Sequence, residues 1–170
     1  SEMCIRDRVD TDMAYVTAAF HDLGLVHGRE NHHRDSRRIV ESDEFLKLHF
    51  TPEQIREMGE AVEDHRASSD HKPRNKYGLI VAEADRHIMP ETIIRRCVQY
   101  GLANYPELDR AGHLQRTIDH LTKKYGPQGY LKVWIPWSDN ARNLEMLRAL
   151  LKDKSQIERL FNKIFDEETA

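Results

Sequence analysis

The chain has 170 residues, with 26 basic and 29 acidic side chains, a formal net charge of −3 and two cysteines. That length suits one domain with a real core, and so balanced a charge gives no field for gripping a nucleic-acid polymer along a track. Two cysteines make no disulfide framework, no apolar run approaches a bilayer span, and the N-terminus lacks a signal-peptide core, so a cytoplasmic protein without membrane attachment is expected.

In chain order, Ser1–Arg8 (SEMCIRDR) looks like the translation of a sequencing-library transposon end. Residues 1–8 are accordingly expected to be a non-native leader on a fragment, and residues 9–170 a single helical domain. Asp10 and Thr11 offer N-cap chemistry for a helix through about His21, with Ala14, Ala18 and His21 on one side. Gly24 and Gly28 mark a loop, and a second helix starts near His32 and runs through Val40. TPEQ (Thr51–Gln54) has a Thr cap, Pro in the first turn and Gln at the capping-box position. The helix it opens carries Ile55, Met58 and Val62 and ends near Arg66.

The spacing predicts a further helix from about Lys76 to Ile88, stopped by Pro90. Pro90 and Glu91 open the next, with Ile94, Cys97, Val98 and Leu102 as its stripe. Asp109 to Tyr125 is helical, closed by Gly126 and Pro127. GYLKVWIPW (129–137) alone has strand character, too short and proline-interrupted to found a sheet; Trp134, Pro136 and Trp137 suggest a packing plug. Two helices follow, marked by Leu144, Leu147 and Leu151, then by Ile157, Leu160, Phe161 and Ile164. The expected fold is an all-α bundle of about seven to nine helices.

Ten histidines are the outlier, and helical phase sorts them. His65 continues the stripe of Ile55, Met58 and Val62, while Glu60 and Glu63 lie off it. Asp85 sits among Tyr77, Val81, Ala84 and Ile88, an expensive place for a carboxylate unless a cation meets it. His32 aligns with Ser36, Ile39 and Val40, so it is the inward member of the His32–His33 pair. His21 follows Ala14, Thr17 and Ala18, with Asp22 beside it at the helix end. Each alone could be a satisfied core group; together, four helices delivering His or Asp inward offer the ligand types of a divalent transition metal, and spacing alone leaves both readings open.

The ordered segments AAFHDLGL, HHRDS, EDHRAS and VAEADR resemble the HD-domain superfamily of metal-dependent phosphohydrolases, in an uncharacterised bacterial branch. The resemblance covers about residues 10–90 as a metal-site core; residues 91–170 form a helical extension without an assignable motif. It implies an HD-type bundle in which His21 and Asp22 are the doublet and Asp85 the distant ligand. His32 and His65 match the additional histidines that support a second metal in some members. The family's first histidine has no counterpart before His21, which agrees with the truncation inferred from SEMCIRDR and implies weakened metal binding by the fragment.

The implied chemistry is phosphoester hydrolysis of a nucleotide or small phosphorylated metabolite by water acidified at one or two Mn, Fe, Co or Ni ions. Asp22 bridges the metals or completes a single-metal site. Arg29, Arg66, Lys72 and Arg86 are candidates for phosphate oxygens, with Arg66 favoured beside His65. His27 and His33 are candidate general acids. Two rivals share the residues: a di-iron oxygenase, and a non-catalytic module that binds a nucleotide or partner.

Overall fold

The computed structural model describes residues 9–69 and 71–170; residues 1–8, expected to be a leader, lie outside them. Among the described residues there are nine α-helices and no strand. We number them α1 (Thr11–Phe20), α2 (His32–Ser42), α3 (Glu44–His49), α4 (Pro52–Asp64), α5 (Lys76–Asp85), α6 (Pro90–Asn104), α7 (Arg110–Tyr125), α8 (Asp139–Lys152) and α9 (Lys154–Thr169). A 3-10 turn at Leu23–His27 joins α1 to α2. The all-α expectation holds.

The chain forms two compact units, one ending at Arg86 and the other spanning His87–Ala170. In the first, α4 is central and packs against α1, α2, α3 and α5. Its start follows from TPEQ: Thr51 accepts from the Gln54 N–H, and the Gln54 side chain accepts from the Thr51 N–H at 2.9 Å. Ile55, Met58, Ala61 and Val62 supply its buried stripe, which meets Met13, Val40, Leu46 and Tyr77. Asp10 caps α1 through the N–H groups of Asp12 and Met13, and the Asp10 N–H donates to the Tyr77 hydroxyl at 3.1 Å. A local cap is thereby tied to α5, 67 residues away.

In the second unit α6, α7, α8 and α9 pack around Ile94, Val98, Leu121, Leu147, Phe161 and Ile164. Cys97 is buried with them, and burial pushes its thiol pKa up, consistent with an inert core thiol.

Several expectations need correction. α5 stops at Asp85, three residues before Ile88. Ala84 and Ala18 are exposed; Ala82, Met13 and Thr17 take the buried positions. GYLKVWIPW founds no sheet, as its length and proline implied, but Pro136 and Trp137 are exposed, against the expected packing plug. The short α3 had no sequence signal beyond its Asp43 cap, being too brief to show a period. Among the described residues no helix is long and apolar enough to cross a membrane.

Candidate metal centre

The centre is assembled where helices end. α1 stops at Phe20, so His21 and Asp22 leave it in succession, and His65 caps the C-terminus of α4. His32 is the first residue of α2. The 3-10 turn after Asp22 is held on α2 by Gly24, whose N–H donates to Ser36 Oγ at 2.8 Å. A Cβ at Gly24 would lie 2.1 Å from the His32 carbonyl oxygen and 2.5 Å from the Ser36 nitrogen. Only glycine permits that approach, which sets Asp22 close to His32.

All three histidines are oriented by the same device. His21 Nδ1 donates to the Ala18 carbonyl at 2.7 Å, His32 Nδ1 to Arg29 at 2.8 Å, and His65 Nδ1 to Val62 at 2.6 Å. A carbonyl oxygen can only accept, so each ring carries its proton on Nδ1, and a neutral ring then presents an Nε2 lone pair. These lone pairs converge. His32 Nε2 and His65 Nε2 are 3.4 Å apart, and they lie 3.5 and 3.4 Å from Asp22 Oδ1. The other oxygen, Asp22 Oδ2, is 3.6 Å from His21 Nε2, which is 3.8 Å from Asp85 Oδ1.

Metal–ligand bonds of about 2.0–2.2 Å at angles of 90–110° place neighbouring donors roughly 3.0–3.5 Å apart. Asp22, His32 and His65 meet that spacing, with all three ligand atoms inside 4.8 Å of one another. His21 and Asp85 form a slightly wider second group on the far oxygen of the same carboxylate. The structure thus brings all five sequence-derived ligand candidates into one cluster, with Asp22 at its middle.

The burial of the five is uneven. His32 and His65 are buried, but the Asp85 side chain is 43 % exposed and does not sit in the core as its helical phase suggested. α5 ends at that residue, and the carboxylate turns to His21 instead. The Asp85 carboxylate is the largest cause of a His21 pKa raised to about 9; the Ala18 carbonyl and Asp22 add to it against the cost of burial. Asp85 is held below the ordinary carboxylate range, chiefly by His21. His65 shifts the other way, pushed down mainly by burial and further by the His21 cation. Without a metal, the cluster is polarised: a protonated His21 faces Asp85, and a neutral His65 faces the interior.

The remaining candidates divide. His33 and Arg66, each one residue from a histidine of the cluster, line a cleft together with Lys72. Arg66 Nη1 donates to the Glu30 carbonyl at 2.8 Å. Burial, with the Arg66 charge beside it, lowers the His33 pKa. Arg86 is 5 % exposed and donates to the Ala82 carbonyl, so it cannot serve a phosphate as the sequence suggested. Arg29 and His27 are exposed.

Helical phase missed the support beneath the site. Asp64, next to His65, is buried and accepts from Arg74 through its backbone N–H at 2.7 Å and its guanidinium at 2.7–3.1 Å. Arg74 also bonds Glu63, which in turn accepts from Arg37 at 2.8 Å on α2. Burial alone would raise the Glu63 pKa, but the Arg74 and Arg37 hydrogen bonds outweigh it and hold it below its ordinary value. The loop after α4 is folded back onto the helix end by this network, which holds His65 in place.

The model of one protein family, described as the HD domain, matches residues 1–89. Comparisons with curated proteins and with solved structures gave no match. The matched segment contains the doublet, both buried histidines and Asp85, on an all-α scaffold; the chain belongs to the HD domain family.

Proposed function

We propose that this protein is a metal-dependent phosphohydrolase that cleaves a phosphoester of a nucleotide or small phosphorylated metabolite. One observation carries the reading: the Nε2 atoms of His21, His32 and His65 surround one carboxylate, with every Nδ1 already committed to a backbone carbonyl. Such orientation by a second hydrogen bond is the usual support of a metal-ligating imidazole.

Asp22 Oδ1, His32 and His65 would hold one divalent transition cation; Asp22 Oδ2, His21 and Asp85 would hold a second. Cations bound there would lower the pKa of water toward neutrality and polarise the phosphoryl group. Arg66, anchored to Glu30 through one nitrogen, would direct its remaining N–H groups at phosphoryl oxygens. His33 is neutral near neutrality because of its lowered pKa, so it suits accepting a proton better than donating one.

The test is metal analysis of the purified protein combined with turnover of a phosphodiester and nucleotide panel, with and without oxygen. Metal-dependent phosphate release without oxygen is expected, and Asp22→Ala should reduce it to background. Product formation only with oxygen would replace the hydrolase by an oxygenase. Metal-independent turnover, or full activity in Asp22→Ala, would remove the mechanism.

A further inference from the structure

The cleft beside the metal centre has a volume of about 740 Å³, and its lining includes His33, Arg34, Arg66, His71, Lys72 and Arg74. Sites for small ligands commonly fall at roughly 300–1,000 Å³. We propose that this cleft is a phosphate-binding subsite, so that the substrate carries a second phosphate besides the one cleaved. The substrate part of this inference rests on the phosphohydrolase reading; the subsite itself does not.

Charge pairing within the cleft carries the argument. Among the described residues Glu63 is the carboxylate in the lining, and it is already bonded to both Arg74 and Arg37. Arg74 is matched by Asp64 and Glu63. Arg34, Arg66 and Lys72 have no ion pair with a described residue, so among the described residues three positive charges face one concavity. Their excess is local, because the chain as a whole carries −3. A carboxylate would answer one of these charges, whereas a phosphate dianion offers more charge and three oxygens to guanidinium and ammonium donors. The Ser68 and Ser69 side chains complete the polar lining. His33 adds a buried Nδ1 with no hydrogen-bond partner among the described residues.

Position links the cleft to the reaction. His33 follows His32 and Arg66 follows His65, so two wall residues lie one residue, about 3.8 Å between Cα atoms, from two metal-ligand candidates. A phosphate in the cleft and a phosphoryl group at the cluster can therefore belong to one small molecule, an organic bisphosphate or oligophosphate.

The first experiment is calorimetric titration of the metal-free full chain with inorganic pyrophosphate at low ionic strength. Saturable binding is expected. The double variant Arg34→Ala, Lys72→Ala should bind about tenfold more weakly, two charge-assisted contacts being lost. Asp22→Ala should bind no more weakly than wild type, since it removes a nearby negative charge and no contact in the cleft. No saturable binding by wild type, an unchanged double variant, or an equal loss in Asp22→Ala would overturn the subsite. Both substituted residues are exposed, and matching melting curves exclude a folding defect.

The second experiment compares kcat/KM of the metal-loaded protein on a nucleoside 5′-monophosphate and on the corresponding 3′,5′-bisphosphate. The double variant should lose rate on the bisphosphate alone; an equal loss on both would overturn the second-phosphate assignment. Pyrophosphate binding that depends on Arg34 and Lys72, without turnover of any phosphoester, would uphold the subsite and sink the phosphohydrolase reading.

Discussion

The Nε2 atoms of His32 and His65 face each other at 3.4 Å, while both Nδ1 protons are held by carbonyl oxygens. In their neutral forms these rings can offer each other only lone pairs, an arrangement that repels unless a cation or proton lies between them. A divalent metal should therefore stabilise the fold, by about 2.7 kcal/mol at a metal concentration one hundred times Kd. Thermal melts with added Mn²⁺, Co²⁺ or Ni²⁺, and with chelator, measure this. His65→Ala should lose most of the metal-induced rise in Tm; a rise preserved in that variant would place the metal elsewhere.

The His21–Asp85 pair gives a pH signature. Its folded-state pKa of about 9 lies above the ordinary value of 6.5, so its contribution to the metal-free protein is complete below about pH 6.5. It is lost as pH rises through about 9. Metal-free Tm should fall across that window, and the fall should disappear in Asp85→Asn. Metal loading near pH 7.5 should release a proton, because a ligating His21 must give up the one it holds. Calorimetry in buffers of different ionisation enthalpy would count it, and no release would show that His21 stays outside the coordination sphere.

Gly24 controls the distance between the doublet and α2. Gly24→Ala drives a methyl group into the His32 carbonyl and the Ser36 nitrogen, both backbone atoms that cannot swing aside. The expected cost is about 1–3 kcal/mol. Metal affinity should fall with it, since Asp22 must move away from His32 and His65. An alanine variant with wild-type Tm and affinity would mean that the turn is not held as described.

The buried Asp64 carboxylate depends on Arg74. Arg74→Ala strands a carboxylate that is 1 % exposed; among the described residues the residue-74 backbone N–H then remains, with His71 Nε2 more distant at 3.8 Å. A loss of about 3 kcal/mol is expected in denaturant unfolding. Surface ion pairs such as Arg56–Glu53 should cost less than about 1 kcal/mol when broken, making that pair the control.

Acid should act on the same network. Glu63 has a depressed pKa, so its contribution is present above its ordinary carboxylate value and is lost as pH falls through the lower folded value. Wild type should lose stability on acidification over that range, and Glu63→Gln should flatten this part of the profile. Identical acid limbs for the two proteins would remove Glu63 from the account.

The local sequence determined the helices, their caps and the chemical types of the site. The Thr51–Gln54 capping box, the apolar stripe leading to His65 and the His21-Asp22 doublet all act over a few residues, where spacing and side-chain chemistry are sufficient. Convergence was decided elsewhere. Asp85 meets His21 at a helix end rather than on the stripe its phase implied, because α5 stops there and the carboxylate turns to His21. Asp64 and Arg74 meet because the loop after α4 folds back, and no period in the sequence records a contact between a helix end and a loop. The sequence by itself carried the helical architecture and the side-chain types of the candidate ligands. Only tertiary packing, through Gly24 against α2 and Arg74 against Asp64, set the ångström-scale distances between donors, because those distances belong to pairs of elements and not to any one of them.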